Sequence, residues 1–339
     1  MLAFFNHKPS GCKMYRILHP MNALGVPTKL ISINEDIDDK DMDAITAFQF
    51  YGAVPFSLTK VLRYMKENKK LVVYDVDDAL PLTDRTNPWY FDVMKDLGSW
   101  REALAFADKV TVSTPEMADY IRPQTDAPIT VIPNCYVDSE WTFPRPKREG
   151  LRIGFAGSAS HLSDLLSILP TIKKLQDKYN FTFVIFGFSM SDYKQWYRDF
   201  SHVCSPEAQE ELKMFDKELS GIKFEWVPYV DHELYPATLT NIALDIGICA
   251  IKDTQFNRCR SAVKAMEYTL SGALALASDM PPYNQEQCSV LVDDWEKVLE
   301  HFITHPEEIE PTRSSHLKWI QENRNIKSIV PKLREVYEV

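Results

Sequence analysis

The chain has 339 residues, 45% of them hydrophobic and 25% charged, a composition of folded globular proteins and enough length for two domains of roughly 150 residues each. No run approaches the roughly 20 apolar residues that a membrane helix needs, and the apolar start is too short for a signal peptide, so a cytoplasmic protein is expected. A formal charge of -10 weighs against polyanionic partners, and six cysteines without a CxxC pair or a histidine at ligand spacing give neither a disulfide framework nor a zinc site.

Short β-branched or aromatic runs bounded by turn residues predict strands at residues 15–18, 29–33, 47–51, 71–74, 109–113 and 129–132. Helical patterns separate several of them. In residues 55–68, Leu58, Val61, Leu62 and Met65 recur at helical spacing while Lys60, Arg63 and Lys66 fill the opposite face, and residues 100–107 give a second helix. The polar, proline-containing stretch 141–150 reads as a linker. After it the pattern restarts, with strands expected at 151–155, 181–186, 222–227, 244–251, 273–277 and 290–292, and a helix at 163–179. This alternation predicts an α/β protein of two Rossmann-like, doubly wound parallel-sheet domains, residues 1–143 and 150–312, facing each other across a cleft. A helical segment, 313–339, is expected to pack back on the first. Open sheets of this kind bind ligands at their carboxyl ends, so architecture gives a cleft, and the residues must give the chemistry.

Two segments carry chemistry. The strand at 151–155 runs into AGSASHLSDL, where Gly154, Gly157, Ser158 and Ser160 form a small-residue turn at a helix start, a place where free N–H groups and the helix dipole favour phosphate. A plain tight turn with Ser160 as N-cap and Asp164 in the first turn is the competing reading. The second segment, DIGICAIKDTQFNRCRSAVKAMEY, predicts a strand, a polar loop and a helix from near Ser261 to Gly272. Arg260 and Lys264 would meet a diphosphate there, and Glu267 could accept hydrogen bonds from a ribose diol. A solvated Lys264–Glu267 pair is the alternative.

The run FNRCRSAVKAMEY with SGALALAS after it, together with LRIGFAGSASHLSDL, KVTVSTPEMADYI, ITVIPNCYV and VVYDVDDAL, resembles the retaining GT-B glycosyltransferases, and especially a bacterial and phage subgroup with a GSxSHxxDL pattern. The matched segments span about residues 71–294. The resemblance implies transfer of a sugar from a nucleotide-sugar donor, most simply a UDP-sugar, to an acceptor hydroxyl, with retention and without a catalytic metal. It implies that Glu267 binds the donor ribose, that Arg260 and Lys264 neutralise the diphosphate with backbone near Ser261, and that the loop of Gly157, Ser158 and His161 closes over it. His161 stands where the family carries a basic side chain, and Cys259 stands where it carries a second glutamate.

On the acceptor side, Asp75, Asp77 and Asp78 follow a buried strand, a pattern also seen in metal-dependent enzymes, but no partner set for a phosphatase follows downstream. Asp77 and His19 are taken as acceptor-side catalytic candidates, with His19 as a satisfied core histidine and Asp77 as a structural cap the competing readings. Two other functions stay open. A modified base in phage DNA could be the acceptor, tracked by Lys60, Arg63, Lys66, Arg145, Lys147 and Arg148. The chain could instead be a non-catalytic sugar-nucleotide-binding protein, as Cys259 allows.

Overall fold

The computed structural model describes residues 1–6, 11–32, 39–51, 56–95, 97–187 and 205–339. The first sheet contains β1 (Leu2–Asn6), β2 (Thr28–Ser32), β3 (Ala47–Tyr51), β4 (Leu71–Val76), β5 (Lys109–Val112) and β6 (Ile129–Val131), in the order β2-β1-β3-β4-β5-β6. The second contains β7 (Arg152–Ala156), β8 (Thr182–Phe186), β9 (Phe224–Val227), β10 (Ile246–Cys249), β11 (Leu274–Ser278) and β12 (Val290–Val292), in the order β12-β11-β10-β7-β8-β9. Every ladder is parallel. Helices cover both faces, so central strands such as β7 and β10 are buried at every residue, and apart from Arg152 at the start of β7 they read as continuous apolar runs rather than alternating ones.

One predicted strand is not a strand. Residues Met14–Leu18 form a π-helical turn that continues into the helix His19–Ala23, and the first strand is the apolar run LAFFN before it. The alternation of Tyr15, Arg16 and Ile17 misleads because Arg16 is itself buried, at 3% exposure, in an ion pair with Asp75. The shift has a functional consequence: residues 11–15 follow β1, and they reach the carboxyl end of the first sheet rather than its amino end.

In both sheets the chain reverses direction of winding, between β1 and β3 and between β7 and β10, and a crevice opens at such points. The stretch 141–150 is strapped to the second unit, where Arg145 donates to Leu244 O at 2.9 Å and to Asp245 at 2.7 Å. The C-terminal helix Ile309–Asn323 places Trp319 and Ile320 on the second core. Beyond it Ile326, Ile329, Leu333, Val336 and Tyr337 join Leu2, Phe4 and Ile17 in the first. The two crossings touch, with Tyr136 N donating to Arg324 O and Ile326 N to Tyr136 O, both at 2.9 Å.

Candidate active site in the cleft

Packing behind β7 shapes the loop that follows it. The Tyr268 ring lies flat over Gly247, where a Cβ would fall 2.2 Å from the ring, and the Tyr268 hydroxyl accepts a hydrogen bond from Ala156 N at 2.5 Å. Gly187, at φ +89°, lies so close to Gly157 that a Cβ would stand 2.8 Å from the Gly157 carbonyl oxygen. Glycine is therefore required at 187 by both conformation and space. Ser160 does not cap the next helix; residues Ala159–His161 make a 3₁₀ turn, and the helix Leu162–Gln176 begins with His161 at its N-cap.

His161 is the centre of a relay. Its Nδ1 lies 2.9 Å from Asp164, and its Nε2 lies 2.9 Å from an Arg260 guanidinium nitrogen. Arginine can only donate, so Nε2 accepts and the proton sits on Nδ1, facing the carboxylate. Burial, with Lys264 and Arg260 adding positive charge nearby, pushes the imidazole down to about 3 against the pull of Asp164. His161 is thus neutral and does not replace the basic side chain of the family pattern. Its geometry aims Arg260.

The helix Val263–Leu270 carries the other two groups and ends at Ser271, with Gly272 at φ +95° closing it. Lys264 Nζ is sealed from solvent, has no hydrogen-bond partner among the described residues, and lies 4.4 Å from the centre of the Phe155 ring. Burial, reinforced by Arg260, lowers its pKa to about 8. One turn further on, Glu267 accepts from Tyr15 Oη at 2.6 Å and from Tyr235 Oη at 3.2 Å. Burial raises this carboxyl to about 7, although both phenols and Lys264 oppose the rise.

The two halves meet at this point. Asn134 donates to Ser261 Oγ at 2.8 Å and accepts from Arg16 at 3.0 Å. Arg16 in turn grips both carboxylate oxygens of Asp75, at 2.6 and 2.9 Å, and Thr111 donates to the same carboxylate. Thr114 donates to Cys259 O at 2.9 Å, and Cys259, 2% exposed, packs into the first core. The position where the family carries a second glutamate therefore faces the other domain.

A cavity of about 620 Å³ opens between the sheets. Among the candidates, Gly157, Ser158, His161, Arg260, Ser261, Lys264 and Glu267 line it from the second half, and Asp77 with Asp78 from the first. Asp75 is held in the Arg16 pair. His19 does not reach the cavity, since its ring is buried with Nδ1 3.0 Å from Cys135 O and Nε2 2.9 Å from Glu140. The Cys12 sulfur and one oxygen each of Asp77 and Asp78 lie within 4.8 Å of one another, a spacing that accommodates a cation, although a thiol beside two carboxylates is a poor set for Mg2+. Sequence reasoning missed Tyr15, Asn134 and Tyr235, all of which line this cavity. Of these, Asn134 stood within the matched ITVIPNCYV run and could have been singled out.

No protein-family model matches the chain, and no curated protein does. Solved structures do, over its whole length. HepE of Anabaena, in complex with UDP and glucose, aligns with a TM-score of 0.65 and 12% identity, covering 100% of this chain and 99% of that one. An α-glucosyltransferase in complex with UDP aligns at 0.66 with 9% identity, and a trehalose-6-phosphate synthase at 0.62 with 12%, each with the same coverage. The fold is GT-B. At these identities the likeness is one of fold. In this GT-B chain the cavity takes Arg260, Lys264 and Glu267 from the second domain and Asp77 with Asp78 from the first. Among the described residues no helix is long and apolar enough to cross a membrane.

Proposed function

We propose that the chain is a glycosyltransferase that takes a nucleotide sugar, a UDP-sugar in the first instance, and transfers the sugar with retention to an acceptor hydroxyl, acting in the cytoplasm. The observation that carries the proposal is Lys264 Nζ, buried on the wall of a large cavity without a hydrogen-bond partner among the described residues, beside Arg260. A buried ammonium is costly unless an anion meets it, and a donor diphosphate is such an anion. Glu267 has the place and chemistry to hold the ribose. In the reaction the acceptor oxygen bonds to the anomeric carbon on the face that the diphosphate is leaving, as the bond to the diphosphate breaks, which keeps the anomeric configuration. The hydroxyl proton passes to the departing phosphate oxygen. Negative charge grows on the leaving diphosphate, and Arg260 with Lys264 stabilises it from fixed positions. Their two charges supply the neutralisation that a metal supplies in other transferases. Asp77, 7% exposed on the facing wall, is the candidate for positioning the acceptor hydroxyl.

Of the six cations of the nucleic-acid reading, Lys66 pairs with Asp108, Arg145 with Asp245, and Arg148 with a carbonyl, while Arg63 and Lys147 are exposed. The Lys60 side chain lies outside the described residues. A non-catalytic nucleotide-sugar binder keeps one observation in its favour, the turning of Cys259 away from the cavity. Calorimetry with UDP, GDP, ADP and TDP, followed by assay of nucleoside diphosphate release from the matching nucleotide sugars, tests the proposal. Binding that disappears in Arg260→Ala, with slow donor hydrolysis, supports the transferase; binding without any hydrolysis or transfer supports the binder; no binding at all sinks both.

A further inference from the structure

Glu267 is reached by two phenols of different origin. Tyr235 belongs to its own domain and stacks on Phe186 at 5.2 Å between ring centres. Tyr15 comes from the other domain, 252 residues away in sequence, and makes the shorter bond, 2.6 Å against 3.2 Å. A ribose diol binds a carboxylate through both oxygens, so a hydroxyl already seated on Oε1 stands in its way. Tyr15 also lines the cavity, as Glu267 does, so the contest would take place inside the site.

We infer that Tyr15 is a latch which the donor displaces: its phenol takes on Glu267 the place of a ribose hydroxyl and holds the two domains together until a nucleotide exchanges with it. The inference rests on the donor-site reading above. Exchange replaces one O–H donor by another on the same carboxylate, so Glu267 is never left buried without a partner, and the swap is close to neutral in hydrogen bonds. The latch lowers apparent affinity by the fraction of protein in which it is closed. It also ties donor entry to movement of the first domain, because Tyr15 sits in the turn Met14–Leu18 region whose Arg16 is anchored to Asp75.

The test is calorimetric titration of UDP, GDP, ADP and TDP into wild type, Tyr15→Phe and Glu267→Gln. Phenylalanine preserves the edge contact of ring 15 with His19, 5.3 Å between centres, and an unchanged circular dichroism spectrum with a single cooperative melting transition checks the fold. The nucleotide that binds wild type should bind Tyr15→Phe roughly three- to tenfold more tightly, while Glu267→Gln weakens it. Equal or weaker binding by Tyr15→Phe, with Glu267→Gln still impaired, would overturn the latch and leave the donor site standing. Absence of binding in wild type and both variants would overturn the two together. If Tyr15→Phe does not fold, hydrogen exchange of the wild type decides: the nucleotide should speed exchange at residues 14–18, and protection there overturns the latch.

Discussion

Arg260 donates to Nε2 of His161 at 2.9 Å, and burial, with the charges of Lys264 and Arg260 nearby, keeps that histidine neutral, so it aims Arg260 rather than serving as a third cation of the site. Replacing His161 by alanine should leave Arg260 charged but unaimed, weakening nucleotide binding roughly tenfold, the value of a hydrogen bond of about 1.5 kcal/mol. Because burial holds the imidazole down to about 3, affinity should show no transition between pH 5.5 and 7.5 that the variant lacks, in a range of roughly one unit either side of an ordinary histidine. A wild-type transition near pH 6.5 that His161→Ala abolishes would contradict the assignment.

Lys264 sets stability against binding. Its pKa is about 8 folded and 10.5 unfolded, so the folded chain releases the proton first, and the penalty of the buried charge is present below about 8 and relieved as pH rises toward 10.5. Lys264→Met should therefore stabilise the protein at pH 7, by about 1 to 2 kcal/mol in urea denaturation, while abolishing nucleotide binding. In wild type, binding of a nucleoside diphosphate at pH 9 should take up a proton, seen as a buffer-dependent enthalpy in calorimetry.

Glu267 carries the opposite sign. Its pKa rises from 4.5 to about 7 on folding, so the folded state keeps the proton longer; the contribution is complete below about 4.5 and is lost as pH rises through 7. Stability of wild type relative to Glu267→Gln should fall across that window by on the order of 2 kcal/mol, as chemical denaturation at pH 4.5, 6 and 7.5 would measure. A constant difference would mean that the carboxyl titrates normally.

The acidic segment after β4 divides by burial and partner. Asp75→Asn weakens a bidentate ion pair with Arg16 and should cost about 3 kcal/mol of stability, read as a lowered melting temperature. Asp77→Asn should leave stability within about 1 kcal/mol and lower turnover at least tenfold with donor affinity unchanged. Loss of donor affinity in Asp77→Asn would place that residue on the donor side.

What the sequence determined by itself was local. Apolar runs bounded by turn residues marked eleven of the twelve strands among the described residues, and β1 escaped because LAFFN lacked a turn signal before it. The segment FNRCRSAVKAMEY put Arg260, Lys264 and Glu267 at one helix start, since their spacing is a matter of 3.6 residues per turn. Tertiary structure alone decided which polar groups share a site and in which charge state. His161 meets Arg260 across 99 positions, Tyr15 meets Glu267 across 252, and Arg16 withdraws Asp75 from the cleft across 59. No periodicity encodes such encounters. The charges follow the same rule, because a pKa departs from its ordinary value through burial and through neighbours that the chain brings together only when both sheets have folded and met.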